Sequence, residues 1–286
     1  MSQPPPTPAI TPLYWPAESL WQQIEPLLPG FTVEVLPTID STNTELMRRA
    51  RAGRMEPTLL IAEEQTAGRG RRGRPWSSSV LYEGTGARPS LTVSLGLPLA
   101  PADWSGLSLA VGVSVAESLQ PQLPPAGSGA PRILLKWPND LWLEGDRKLG
   151  GILVETASFG HTTPETPRYV IVGIGLNVLP VLAEGLSTPP ACLREVDRGL
   201  NAARALERIA LPLVQSLLGF AAHGFAPFQP RFARRDVLAG RAVTLSDGQH
   251  GMAHGVGDDG ALLVHTSTGM RAITSADVSV RPQQAG

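Results

Sequence analysis

TLLIAEEQTAGRGRRGRPW, residues 58–76, joins an apolar, β-branched run to a loop of interleaved glycines and arginines that ends in tryptophan. Residues 58–66 read as a buried strand. In the loop, Gly68, Gly70 and Gly73 let backbone N–H groups come close to an anion. Arg69, Arg71, Arg72 and Arg74 supply forked donors suited to carboxylate or phosphate. A free RG-rich tail would bind nucleic acid generically. Here the run hangs on a core strand and closes on Trp76, which predicts an ordered ligand loop on a rigid scaffold. It is not a P-loop, because GxxxxGK[ST] is absent. Nor is it a dinucleotide fingerprint, because it opens no helix.

Working outward, FTVEVLPTID (31–40) alternates as a strand and feeds STNTELMRRARAG, where Thr42 and Glu45 have capping-box spacing at a helix start. LTVSLGL (91–97), RILLKW (132–137), KLGGILVET (148–156) and RYVIVGIGLNV (168–178) read as further strands of one sheet. Residues 104–119 alternate with period two at Leu107, Leu109, Val111, Val113 and Val115. Sixteen residues exceed a usual strand, however, and Ala110, Gly112 and Ala116 suit a tightly packed helix, which is the reading adopted. Leu206, Ile209, Leu213, Leu217 and Phe220 keep helical spacing across 201–221, with a kink expected at Pro212. A short amphipathic helix is expected within 18–28. The connectors 79–90, 120–131 and 158–168 read as loops. Beyond PRFARRD the pattern changes to short strands (RAVTL, MAHGV, ALLVHT, VSVRP) with Asp-Gly steps at 247–248 and 259–260, as in a small β-barrel. The expected division is a proline-rich segment 1–30, a catalytic domain 31–236 and a C-terminal domain 237–286.

The whole chain narrows the function. Its 286 residues suffice for one sizeable core and a small second domain. A net charge of -1 gives no global field toward nucleic acid or an anionic membrane, so any anion site must be local. One cysteine allows no internal disulfide, no signal peptide is visible, and no apolar run reads as a membrane span. These features predict a cytoplasmic protein. Of 24 basic residues only Lys136 and Lys148 are lysines. An arginine fork cannot replace a compact ammonium everywhere, so both are candidates for chemistry. Lys136-Trp137-Pro138-Asn139-Asp140 places Asn139 and Asp140 in a turn at a strand end. Lys148 stands at the mouth of a strand whose Gly150 and Gly151 leave room for a ligand or a crossing backbone. Gly173 and Gly175 precede Asn177 at the end of another strand. No Ser-His-Asp, Cys-His or zinc-ligand pattern appears, so alignment and charge neutralisation are expected in place of a protein nucleophile.

DSTN (40–43), EEQTAGRGRRGRPW (63–76), LKWPNDLWLEGDRKLGGILVE (135–155) and VGIGLNV (172–178) resemble, in order, the motifs of biotin protein ligases. The resemblance is strong over about 36–180 and weaker through the C-terminal barrel. It implies an α+β fold: a class II synthetase-like biotin/lipoate ligase catalytic domain with a mixed sheet and flanking helices, followed by an SH3-like barrel. It also implies an enzyme that makes biotinyl-AMP from biotin and ATP with Mg²⁺, then transfers biotin to a lysine of a biotin carboxyl carrier protein.

By the same resemblance, Ser41, Thr42, Asn43 and Gln65 would bind the biotin head group. Arg69, Gly70 and Arg71 would wrap its carboxylate and then the acyl phosphate. Lys148 would neutralise charge at the α-phosphate. Arg74, Trp76, Asn139, Asp140 and Asn177 would lie on the nucleotide or acceptor-lysine side, and no metal ligand from the protein is expected. The sequence departs from the family at SSSVLYEGTGARPS (77–90), which is longer than the usual Ser-Pro-x-Gly passage and puts an adenine-side lid in doubt. It also lacks the N-terminal helix-turn-helix of members that repress transcription, so a single-function ligase without DNA or membrane binding is expected. Edge strands of the sheet offer a route to a homodimer. A lipoate or octanoate ligase is the enzyme rival, against which Gln65 and the arginine loop speak. A phosphate-contacting regulator is the rival from another class.

Overall fold

A computed structural model describes residues 13–76, 89–157, 166–181, 188–245, 248–274 and 280–282. Most of the connectors 79–90 and 158–168, with the first twelve residues of the proline-rich segment, lies outside these ranges. A seven-stranded sheet runs in the order β1 (Thr32–Leu36), β2 (Thr58–Ala62), β3 (Ser90–Leu99), β7 (Arg168–Asn177), β6 (Arg147–Ala157), β5 (Asp140–Leu143) and β4 (Ile133–Lys136). Only β1 and β2 pair in parallel; the remaining neighbours are antiparallel, so the sheet is mixed as expected.

Side chains alternate across this sheet, and the two faces differ in kind. Leu91, Val93, Leu95 and Leu97 of β3 and Val170, Val172, Ile174 and Leu176 of β7 join one apolar core. That core is completed by α1 (Ala17–Ile24), α3 (Leu107–Leu119) and α4 (Ala202–His223). The opposite face carries Thr92, Ser94, Gly173 and Gly175, and the register lines up Thr92 with Gly175 and Gly151, and Ser94 with Gly173 and Leu153. Here α2 (Thr42–Arg51) covers only part of the surface, packing Leu46 and Ala50 on Leu60, Ala157, Tyr169 and Ile171.

The helix reading of 104–119 holds. Ten of the thirteen residues of α3 are buried, so it has no polar stripe, and its apolar positions mimic a strand's alternation. α4 continues through Pro212 for 22 residues, so the expected kink does not end it. By length and composition α4 could cross a membrane, contrary to the sequence reading, but Leu206, Ile209, Leu213, Leu217 and Phe220 are buried in the core.

Several sequence expectations need correction. The cap of α2 is Ser41, whose side chain accepts from Thr44 N, so Thr42 is the first helical residue and its hydroxyl is turned into the core. Asp140 opens a strand, β5, that the turn chemistry of the Trp-Pro-Asn-Asp stretch concealed; it pairs with Lys136 across the hairpin. The short helix α5 (Gln229–Ala233) and strand β11 (Gly269–Ile273) were also unforeseen.

The C-terminal strands β8 (Ala242–Leu245), β9 (His250–Val256), β10 (Leu262–Thr266), β11 and β12 (Val280–Pro282) form one antiparallel sheet in the order β11-β10-β9-β8-β12. Its Val243, Ala253, Leu262 and Val264 belong to the same apolar core as the large sheet. Trp137 Nε1 donates to Gly260 O at 3.1 Å, and Arg241 makes a two-pronged pair with Asp146 at 2.6 and 2.7 Å. Between the sheets, buried Arg235 donates to Ile133 O (2.8 Å) and Gln120 O (2.5 Å), while burial draws its pKa down.

Asp236, next in the chain, accepts from Leu238 N at 2.8 Å through Oδ1, while its buried Oδ2 has no hydrogen-bond partner among the described residues. Burial pushes its pKa up to about 6, against the backbone donors that lower it. The folded state therefore favours the protonated form, and stability present at low pH is lost as pH rises through about 6. Asp236→Asn should stabilise the protein by about 3 kcal/mol at pH 8, with the gain vanishing near pH 4. Urea melts across that range check this; a gain independent of pH would contradict it.

Candidate active site

The half-covered face of the sheet brings the predicted polar residues together. Gln65 is buried, and its Oε1 accepts from Thr42 N at 2.8 Å and from Thr42 Oγ1 at 3.1 Å. Ser94, fully buried on β3, lies 2.7 Å from Thr42 Oγ1 and 2.6 Å from Asn43 Oδ1. With one proton, it can donate to only one of them at a time. Asn43 Nδ2 donates to Leu153 O at 3.2 Å and to Glu155 Oε2 at 2.9 Å. The result is a neutral network of mixed donors and acceptors, suited to a ligand group that has both. Ser41 stands at its edge as the helix cap.

The arginine loop is ordered by its own backbone. Gly70 N donates to Arg74 O at 2.7 Å, and Trp76 N donates to Gly68 O at 2.8 Å, closing the loop around a single 3-10 turn at Arg71–Gly73. Arg72 takes a φ of 56°, a left-handed conformation that is uncommon away from glycine. Arg69 reaches both oxygens of Glu155, at 3.2 and 3.1 Å. Arg71 lies 3.4 Å from Asn139 Oδ1; burial, then neighbouring Arg72, lowers its pKa, and Asp140 opposes the shift. Arg74 is exposed and contributes its backbone to the loop closure.

On β6, Lys148 Nζ pairs with Asp140 Oδ1 at 2.7 Å. Asn139 Nδ2 donates to Ile152 O at 2.6 Å, which ties the Trp-Pro-Asn turn to the same strand. Asn177 spends its amide donors on Lys148 O (3.3 Å) and Ala191 O (3.0 Å), so it fixes the backbone that presents Lys148. The resemblance puts Asn177 on the nucleotide or acceptor-lysine side; these two bonds engage its Nδ2.

Trp76 lies on Gly175: a Cβ at Gly175 would sit 2.6 Å from Cε2 and 2.7 Å from Cζ2 of the indole. A glycine is required for that approach. The indole Nε1 is buried and has no partner among the described residues, a donor available to a ligand acceptor. Two contributors escaped the sequence reading. Ser94 was hidden in an ordinary strand, and Glu155 was quoted only as the end of a motif; nothing local signalled that Glu155 joins Asn43 to Arg69. Among the described residues no group of three or more His, Cys, Asp or Glu could hold a metal ion.

The site thus has a neutral hydrogen-bonding end, a floor of small residues and a cationic end formed by Arg69, Arg71 and Lys148. Residues 35–177 match the biotin/lipoate A/B protein ligase family, and residues 236–281 match the biotin protein ligase C terminal domain. The bifunctional ligase/repressor BirA of Escherichia coli strain K12 is 34% identical over 269 residues, 91% of this chain and 77% of its own length. A biotin acetyl-CoA-carboxylase ligase of Paracoccus denitrificans is 31% identical over 252 residues, 85% of this chain and 98% of its own. The structure of a biotin protein ligase from Aquifex aeolicus in complex with biotin and ATP superposes with a TM-score of 0.67 at 25% identity, covering 88% of this chain and 99% of that one. By these matches over both of its parts, the chain belongs to the biotin/lipoate A/B protein ligase family, among the biotin protein ligases.

Proposed function

We propose that the protein activates biotin with ATP as biotinyl-AMP and transfers biotin to a lysine of a biotin carboxyl carrier domain. The observation that supports this best is one face holding a neutral amide-and-hydroxyl network at one end and a cluster of cations at the other. A ureido ring, with two N–H donors and a carbonyl acceptor, matches Thr42, Asn43, Gln65 and Ser94. A dithiolane ring has no N–H or carbonyl to exchange for the bonds these groups make to one another, which disfavours a lipoate ligase.

In the first half-reaction a biotin carboxylate oxygen attacks the α-phosphorus of ATP, and pyrophosphate leaves. Arg69 and Arg71 are the groups to orient the carboxylate, and Lys148 the group to neutralise charge building on the α-phosphate oxygens. Both Arg69 and Lys148 already hold a protein carboxylate, Glu155 and Asp140. A ligand anion would replace like with like, which limits the cost of stripping water from either cation. Mg²⁺ carried on the triphosphate would supply further neutralisation of the phosphate charge. In the second half-reaction the acceptor amine attacks the acyl carbon of the mixed anhydride and AMP leaves. Trp76, which lies over Gly175, would cover the nucleotide side. Relatives named for acetyl-CoA carboxylase support a carboxylase carrier domain as the acceptor.

Mass spectrometry of the protein with ATP, Mg²⁺ and either biotin or lipoate, followed by a carrier domain, tests the reading. Biotinyl-AMP and one added biotin on the carrier lysine are expected; lipoyl-AMP alone would reassign the substrate. Lys148→Ala should slow adenylate formation by roughly 100-fold with biotin saturating, because the charge is needed mostly as the phosphorane develops. Single-turnover rates equal to wild type would remove that role. Gly175→Ala should displace Trp76 and raise the KM for ATP about tenfold, at a stability cost of about 1–3 kcal/mol. An unchanged KM for ATP would separate Trp76 from the nucleotide.

A further inference from the structure

The outward face of the C-terminal sheet concentrates soft and borderline ligands. The chain has five histidines and five methionines; His250, Met252, His254, His265 and Met270 all fall within 250–273. The inward residues of these strands, Ala253, Val256, Leu262, Val264 and Ile273, are buried core, and the five are exposed or nearly so by the period-two rule. His265 on β10 stands directly between Met252 on β9 and Met270 on β11 in the strand register. Side chains directly opposite on one face have Cβ atoms about 4.5–5.5 Å apart, so the two methionines flank His265 from either side, each within side-chain reach of an ion on its imidazole. His254, diagonal to His265, brings its ring to 6.1 Å centroid to centroid, at 80°.

Met252 and Met270 are 41% and 55% exposed, an arrangement that the apolar core does not explain. From this juxtaposition we infer that Met252, His254, His265 and Met270 form a binding site for a soft monovalent cation, Cu(I). Thioethers favour Cu(I), and imidazoles accept it. The set is specific in what it lacks: among the described residues no three of His, Cys, Asp or Glu come together, so a zinc or calcium site is not formed here. Four donors gather only when the thioethers are counted. His250 is turned aside, its Nδ1 2.9 Å from Thr244 Oγ1, and is left out of the set. The site involves no residue placed in the ligase chemistry above.

Anaerobic titration of the full chain with Cu(I), in competition with a colorimetric Cu(I) chelator, tests this. One Cu(I) per chain should be retained. Met252→Leu with Met270→Leu, which conserves volume, and separately His265→Asn, should each weaken retention at least tenfold. His223→Asn, at the C-terminal end of α4 and outside the proposed set, should retain the metal as wild type does. Ag(I) should shift the methyl resonances of Met252 and Met270 and no other methionine, a readout that does not depend on affinity. Absence of Cu(I) retention by the wild-type chain would overturn the proposal, as would retention unaltered in the double methionine variant. So would retention abolished by Cys192→Ser, which would move the metal to the buried thiol.

Discussion

On the face of the large sheet that α2 leaves half covered, Ser94, Gly173 and Leu153 form one row and Thr92, Gly175 and Gly151 the next. Closeness there is possible because the row positions that ligand and loop must approach carry little or no side chain. Gly175 admits the indole of Trp76, and a Cβ at Gly173 would strike the amide of Asn43. The opposite face of the same strands is Leu, Ile and Val, packed against α1, α3 and α4, and it supplies the rigidity. Every functional contact depends on that asymmetry. Filling either glycine would push the cover or the head-group network off a floor that the helix layer prevents from moving.

On this floor the electrostatics divide along the length of the site. The network of Thr42, Asn43, Gln65 and Ser94 is buried and uncharged, where an unmatched polar group is costly. The cations gather at the other end, and two of them rest on protein carboxylates. Glu155 belongs to both ends: one carboxylate accepts from Asn43 and from Arg69. Arg69 of the glycine-arginine loop and Asn43 of α2 thereby share one carboxylate.

The C-terminal sheet does not stand apart from this chemistry. Trp137, next to Lys136 and two residues before Asn139, is fully buried and donates to Gly260 on the turn before β10. Leu135 pairs with Asp236, and the Arg241–Asp146 pair holds the turn before β6, which carries Lys148. Both hairpin turns that present the cationic end are therefore buttressed from the C-terminal side.

By itself the sequence was enough for what depends on local chemistry and period. Strand alternation, the helical spacing of Leu206 to Phe220, the glycine-arginine loop and the lysine at a strand mouth could all be read in order, and the ordered motifs identified the family. Three kinds of feature were decided only by tertiary packing. β5 was concealed because Pro138, Asn139 and Asp140 carry turn chemistry whose hairpin is settled by pairing with β4 and β6. Ser41 took the cap from Thr42 because the threonine hydroxyl is drawn to Gln65, 23 residues on in the chain. Glu155 and Ser94 entered the site because strands 51 and 112 residues away from Asn43 converge on it, a distance that no local pattern encodes. Asn177 was legible as an amide at a strand end, but its donation to Lys148 O and Ala191 O follows from packing that brings together residues 29 and 14 positions from it in the chain, which no local pattern encodes.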